Sequence, residues 1–163
     1  KGAIQLSTDV PTMILVADVM QSQQRYLESE QLLRRALRED PKNPTALYML
    51  GRALTTRESF EEAEQVLMKS TQVSPNSFVA YMLLGSMYAR QNKFDNAEKS
   101  LQKALKVVSP NEKKRLAQEF EAIGDGYLRT GKSKDAERVY RQALQLDGER
   151  LGLSGKISKA QGS

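Results

Sequence analysis

Arg52, Arg90 and Arg129 recur along the 163-residue chain, and a guanidinium fork can grip a carboxylate or a backbone carbonyl with paired hydrogen bonds. That is recognition chemistry rather than catalysis, and the rest of the composition points the same way. No Cys and no His occur, which removes thiol nucleophiles, disulfides, zinc sites and imidazole acid–base chemistry. Ser, Asp and Glu are plentiful, yet no pattern sets a nucleophile beside a base and oxyanion donors. The chain is therefore read as a non-enzyme with no catalytic residue, no metal site and no cofactor. A second charged group, Lys99, Lys103, Lys106, Lys113, Lys114 and Arg115, could meet phosphates. It lacks interleaved aromatics on which bases would stack, which argues against nucleic acid as the partner.

The elements that carry these residues are helices. Ala, Leu, Gln, Glu, Lys and Arg abound, with only 5 Pro and 10 Gly, and no alternating Val/Ile/Thr run suggests a strand. Ala17, Gly51 and Gly85 stand 34 residues apart, each after an aliphatic residue, and Ile123-Gly124 repeats the pair after a longer interval. Around each small residue a first helix places large apolar side chains (Met13 and Met20, Leu47 and Leu54, Tyr81 and Tyr88, Phe120 and Tyr127), a 3-4-7 spacing that draws one apolar face. A second helix then carries Ser29, Ala63, Ala97 or Ala136, followed by Leu33, Leu67, Leu101 or Tyr140. Small residues let the two axes approach, so each pair is read as an antiparallel hairpin. Ser59, Asp95 and Ser133 are candidate N-caps of second helices, and Pro41, Pro75 and Pro110 end them.

Leu50-Gly51, Ala63 and Pro75, then Leu84-Gly85, Tyr88, Ala97, Leu101 and Ala104, then Ile123-Gly124, Tyr127, Gly131, Ala136, Tyr140 and Ala143 resemble the tetratricopeptide repeat (TPR). The first unit departs from that pattern, with Ala17 for Gly and Ser29 for Ala. The resemblance implies an all-α fold, a right-handed α-solenoid superhelix of antiparallel helix-turn-helix units. Units are expected at residues 10–43, 44–77, 78–116 with an extended linker, and 117–148. Residues 1–9 read as the tail of a preceding repeat helix and residues 149–163 as a capping helix or tail. The five residues added near Ser109-Pro110-Asn111 are expected to start the fourth first helix early, near Pro110.

The resemblance also implies that first helices line a concave groove. Residues of those helices not used by the packing frame are then the candidate peptide-binding set: Ile14, Asp18, Tyr48, Met49, Arg52, Met82, Leu83, Ser86, Arg90, Glu121, Asp125 and Arg129. Ile14, Tyr48, Met49, Met82 and Leu83 suggest a hydrophobic strip, unless they fill space between helices. The arginines either bind a partner or pair with Asp18, Glu121 and Asp125. Some family members clamp chaperone C-termini with Lys and Asn. Ile14, Asp18, Met49, Val79 and Leu83 hold the corresponding places here, so that clamp is absent.

The chain is expected to be a protein-interaction scaffold taking a peptide or helix segment, and a fragment of a larger protein. The alternatives are nucleic-acid binding through the basic third repeat, and a substrate-docking region of a larger enzyme or of a secretion or assembly machine. Self-association through the array ends is open. No apolar run approaches the roughly 20 residues of a membrane span. A targeting signal could lie upstream, so the compartment is open, with the cytoplasm favoured. The net charge of +5 arises in residues 78–116, where eight basic residues face three acidic ones. Ala63→Leu or Ala97→Leu, placed between paired helices, should cost about 1–3 kcal/mol by overpacking; neutral values in chemical denaturation would put the repeat frame out of register.

Overall fold

Each of the first three hairpins opens on a side chain that accepts from the backbone three residues later. Asp9 accepts from the Thr12 amide at 2.9 Å, Asn43 from Ala46 at 3.0 Å and Ser77 from Ala80 at 3.3 Å. These caps satisfy amides that a helix start leaves orphaned, and they share the 34-residue spacing of the small residues. The computed structural model describes residues 9–162; the expected tail over residues 1–9 thus lies, apart from Asp9, outside the described residues. The first helices are α1 (Val10–Ser22), α3 (Pro44–Thr56), α5 (Phe78–Arg90) and α7 (Lys113–Arg129). The second helices are α2 (Tyr26–Glu39), α4 (Phe60–Val73), α6 (Phe94–Val107) and α8 (Ser133–Leu146). A short α9 (Leu153–Gln161) follows. No strand occurs among the described residues.

Contacts divide the chain into two compact halves at Pro75 and Asn76. In the N-terminal half α1 pairs with α2, α3 with α4, and α2 packs on α3. In the C-terminal half α5 pairs with α6 and α7 with α8, α6 and α5 both meet α7, and α9 lies on α8. Helix pairing is as close as the small residues suggested. A Cβ built on Gly51 would stand 2.3 Å from a Leu67 methyl, on Gly85 2.6 Å from a Leu101 methyl, and on Gly124 2.5 Å from the Tyr140 ring. Gly126 plays the same part toward Phe94, whose ring lies 5.8 Å from that of Tyr127. The departure in the first hairpin is absorbed by a hydrogen bond: Ser29 Oγ donates to the Ala17 carbonyl at 3.1 Å.

The expected caps of the second helices do not form. Ser59 stands at the N-cap of α4 without a side-chain hydrogen bond, while Asp95 and Ser133 lie inside the first turns of α6 and α8. The turn chemistry explains why. All four hairpins turn through one left-handed residue, Gln24, Glu58, Asn92 or Gly131. The next residue's amide reaches back to close the first helix: Arg25 to Met20, Ser59 to Leu54, Lys93 to Tyr88 and Lys132 to Tyr127, at 2.8–2.9 Å. This is the Schellman closure. The residue that closes one helix is thus also the N-cap of the next, and its ψ near 60° departs from the extended geometry of a usual N-cap.

The inserted segment near Pro110 behaves as expected. Ser109 and Glu112 form a capping box around a single 3-10 turn, Pro110–Glu112, which runs directly into α7. At 17 residues α7 exceeds the 13 of α1, α3 and α5. At the other end Gly152, with φ 86°, turns the chain into α9, which buries Leu153, Ile157 and Ala160.

The turns can be tested at two equivalent positions. Gly131 has φ 77° and nothing within 4 Å of its missing Cβ, so Gly131→Ala should cost about 1 kcal/mol through backbone conformation alone. Gln24→Gly, at φ 62°, should run the other way and gain about 0.5 kcal/mol. Urea denaturation of both variants checks the pair, and like signs would exclude this explanation of the turn.

Candidate functional site

In the N-terminal half, the exposed sides of α1 and α3 meet around one arginine. Arg52 on α3 reaches Asp18 on α1, with Nη2 3.3 Å from a carboxylate oxygen. Its Nε donates to the Gln21 side-chain oxygen. The same guanidinium lies 5.9 Å from the Tyr48 ring centroid, in cation–π range. Gln21 is buried and spends its own amide on the Met49 carbonyl at 2.8 Å and on Ser29 Oγ at 3.0 Å. A chain of polar contacts therefore runs from the hairpin interior to the surface. It fixes the Arg52 fork and leaves Tyr48 and Ile14 half-buried and Asp18 exposed. Arg52 is thus paired within the chain.

Met49 is not part of that surface. It is 4% exposed, and comparison along the repeat shows the cause. Leu15 and Val19 on α1, one period earlier than Met49 and Ala53, are 69% and 53% exposed, whereas Met49 and Ala53 are 4% and 0% exposed. Helix α2 packs on α3 and covers that side of it. In α5, which packs against both α6 and α7, Met82 is likewise enclosed at 3% exposure. The expected strip of five apolar residues is thereby corrected: neither Met49 nor Met82 presents its thioether at the surface, and Ile14, Tyr48 and Leu83 remain as half-buried members.

In the C-terminal half, Leu83 and Ser86 are half-buried on α5 and Arg90 is exposed at its end. On α7, Glu121 and Asp125 come together under the C-terminal segment. Lys156 of α9 donates to Glu121 at 2.7 Å and to Asp125 at 2.9 Å, Arg150 pairs with Glu121, and Tyr140 donates to Asp125 at 2.7 Å. Both acids are therefore engaged within the chain. Arg129 is exposed and, with Asp125, Leu128, Gly131, Ser133 and Lys159, borders an open cleft of about 480 Å³. Among the described residues no group of His, Cys, Asp or Glu could hold a metal ion.

Two neighbouring carboxylates on α7 are pushed in opposite directions. Burial pulls the Glu121 carboxyl upward, but hydrogen bonds from Lys156 and Arg150 outweigh it and leave the pKa below the usual range. Glu119 is raised by burial, with Arg115 opposing only through its charge. Sequence spacing hid this residue: it takes the place held by Ala46 and Ala80, both fully buried, so a carboxylate sits where the repeat puts a methyl. Tyr127, which the repeat spacing places in the core, also carries a polar tip. Its buried hydroxyl lies 2.9 Å from Asp95 and 2.8 Å from Glu98, which with burial drives its pKa far up.

The opposite shifts give opposite linkage. A depressed Glu121 contributes stability above the ordinary carboxylate pKa and loses it as pH falls through the folded value, so Glu121→Gln should cost about 1–2 kcal/mol at neutral pH and little in acid. A raised Glu119 penalises the fold above its folded pKa, and acidification relieves that penalty. Glu119→Gln should therefore gain about 0.5 kcal/mol at neutral pH and nothing below the ordinary carboxylate range. Denaturation curves across pH 3–7 (about the carboxylate window) read both, and the same sign for the two variants would refute the assignment.

Two models of the tetratricopeptide repeat match the chain, one over residues 21–86 and one over residues 76–149. Solved structures with the same fold include a MamA protein, 19% identical over 94% of this chain and 81% of that one, with a TM-score of 0.77. MamA of MSR-1 is 24% identical over 86% and 78%, with a TM-score of 0.70. PilF of Pseudomonas aeruginosa is 17% identical over 93% and 67%, with a TM-score of 0.71. At these identities the likeness bears on fold alone. No curated protein matches the chain. Repeat spacing, hairpin closure and the matched segments lead to one conclusion: the chain belongs to the tetratricopeptide-repeat family, an all-α solenoid fold that serves as a protein–protein interaction scaffold.

Proposed function

We propose that the exposed faces of the first helices take a peptide or helix segment of a partner protein, and that Tyr48, Arg52 and Asp18 form its anchoring patch. One observation carries this reading: the Arg52 guanidinium is already fixed by Asp18 and Gln21 beside a half-exposed Tyr48 ring. Tyr and Arg are the residue types that dominate binding hot spots. An arginine held in place before the partner arrives also loses less side-chain freedom on binding. Asp18 keeps an exposed carboxylate edge that can accept a backbone amide or a basic side chain.

On the C-terminal half the same reading assigns Leu83, Ser86 and Arg90 of α5, and Arg129 beside its cleft on α7, to further partner contacts. Glu121 and Asp125 serve there mainly to hold α9, since Lys156 and Arg150 already occupy them. Met49 and Met82 are buried, each within its own half, and take no part in these contacts.

Peptides selected from a displayed random library on the purified protein provide the probe. Tyr48→Ala and Arg52→Lys should each weaken the selected peptides by about tenfold, while the melting temperature changes little because both side chains are partly exposed. Selected peptides that bind both variants as tightly as the parent would defeat the proposal, as would a loss of binding that merely tracks a loss of fold.

A further inference from the structure

We propose that the outward face of α6 is a second docking surface, separate from the first-helix faces, and that it takes an acidic segment of a partner protein. Five positions of α6 are exposed, Asp95, Asn96, Lys99, Lys103 and Lys106. The three lysines follow one another at i, i+4 and i+7, which puts them on one side of the helix over about 10 Å. Lys113, Lys114 and Arg115 are all exposed where the chain enters α7. Among the described residues none of these six closes a salt bridge, and the carboxylates nearest them, Asp95 by Lys99 and Glu119 by Arg115, act on them only through charge.

The nearby acids are committed elsewhere. Asp95 and Glu98 accept from the Tyr127 hydroxyl, Lys132 pairs with Asp95 at 3.3 Å, and Arg138 pairs with Glu98 at 2.8 Å. Glu112 accepts from the Ser109 amide at 2.9 Å. The carboxylates on this side thus make their hydrogen bonds and ion pairs with other groups, and Lys103, Lys106, Lys113 and Lys114 are left with no carboxylate partner. Beside them a cleft of about 200 Å³ is lined by Tyr88, Asn96, Lys99, Ser100 and Lys103, an amide and hydroxyl lining that suits a carboxylate side chain entering between two ammonium groups.

The choice of partner follows from what surrounds the charge. Lysines one helical turn apart match carboxylates one turn apart on an acidic helix, or at alternate residues of an extended strand. Sequence-tolerant nucleic-acid binding draws on aromatic platforms, and α6 exposes no aromatic residue, Phe94 being buried. Nor is any apolar side chain among the five exposed positions of α6, as insertion into a bilayer interface would need, Leu105 and Val107 being half-buried. A protein-interaction scaffold with one strongly positive helix face therefore fits an acidic polypeptide best.

Fluorescence anisotropy of the whole chain with a labelled polyglutamate peptide, at about 50 mM and about 200 mM salt, tests the proposal. Polyglutamate should bind at the lower salt and weaken at the higher. Replacing Lys99, Lys103 and Lys106 together by Gln should weaken it by about tenfold. The charge-matched control Lys42→Gln, Lys69→Gln and Lys134→Gln, three exposed lysines elsewhere, should leave it nearly unchanged. Absence of binding at low salt overturns the proposal, as does an equal loss in the control. An oligothymidylate that binds more tightly than polyglutamate through the same three lysines overturns it in favour of nucleic acid. Tyr48→Ala, which probes the first-helix surface, should leave polyglutamate binding intact.

Discussion

Everything in this fold depends on how closely the two helices of a hairpin approach. At Gly51, Gly85 and Gly124 there is no room for even a single carbon, because Leu67, Leu101 or Tyr140 fills the space where a Cβ would stand. Close approach brings the large side chains of both helices into one interior, where Leu47, Leu54, Leu67, Leu101, Phe120 and Tyr140 are all but fully buried. Burial of this kind supplies the stabilisation that offsets the ordering of two helices. A hairpin is thin, however, and cannot bury both sides of its first helix by itself. The contrast between Leu15 and Met49, equivalent by repeat yet 69% and 4% exposed, measures what a neighbouring second helix adds.

The fold was largely legible because each of its rules acts within one period. Small residues at fixed spacing, apolar residues at 3-4-7 spacing and prolines after the second helices are local statements, and the helices fall where those statements put them. The inserted turn before α7 was legible for the same reason, since Pro110 and Ser109 act on their immediate neighbours. The second-helix caps were misjudged because a Ser or Asp near a helix start invites a side-chain cap, while here the backbone itself closes the turn. Residue identity reveals only part of that step: Gly131 and Asn92 are types that favour the left-handed geometry, whereas Gln24 and Glu58 adopt it without advertising it.

The surface was less legible, and for one physical reason. Spacing identifies the residues that meet the hairpin partner, so everything else on a first helix looked free. Stacking uses a further side of the same helix, which took Met49 into the interior. Pairing is equally invisible in the sequence. Arg52 finds Asp18 thirty-four residues away, and Lys156 finds Glu121 and Asp125 across thirty-five and thirty-one. Such separations follow from the repeat once it is known, since equivalent positions on successive helices become neighbours, but which charges meet depends on side-chain reach.

Charge then distinguishes the two proposed surfaces. Where an arginine finds a carboxylate and an aromatic ring within the chain, as Arg52 does, the protein presents a stiff surface whose net charge is small and whose shape does the selecting. Where lysines outnumber the carboxylates free to pair with them, as on α6, the surface is soft, long-ranged and salt-sensitive, and selects by sign. A scaffold that carries both can hold one partner by fit and attract an acidic one by field. The separation survives because the neutralising acids of the C-terminal half are consumed by structure: Asp95 and Glu98 by Tyr127, Lys132 and Arg138, and Glu121 and Asp125 by the segment that covers the last hairpin. The ion pairs that tie Asp95 and Glu98 to Lys132 and Arg138 therefore leave the face of α6 positive.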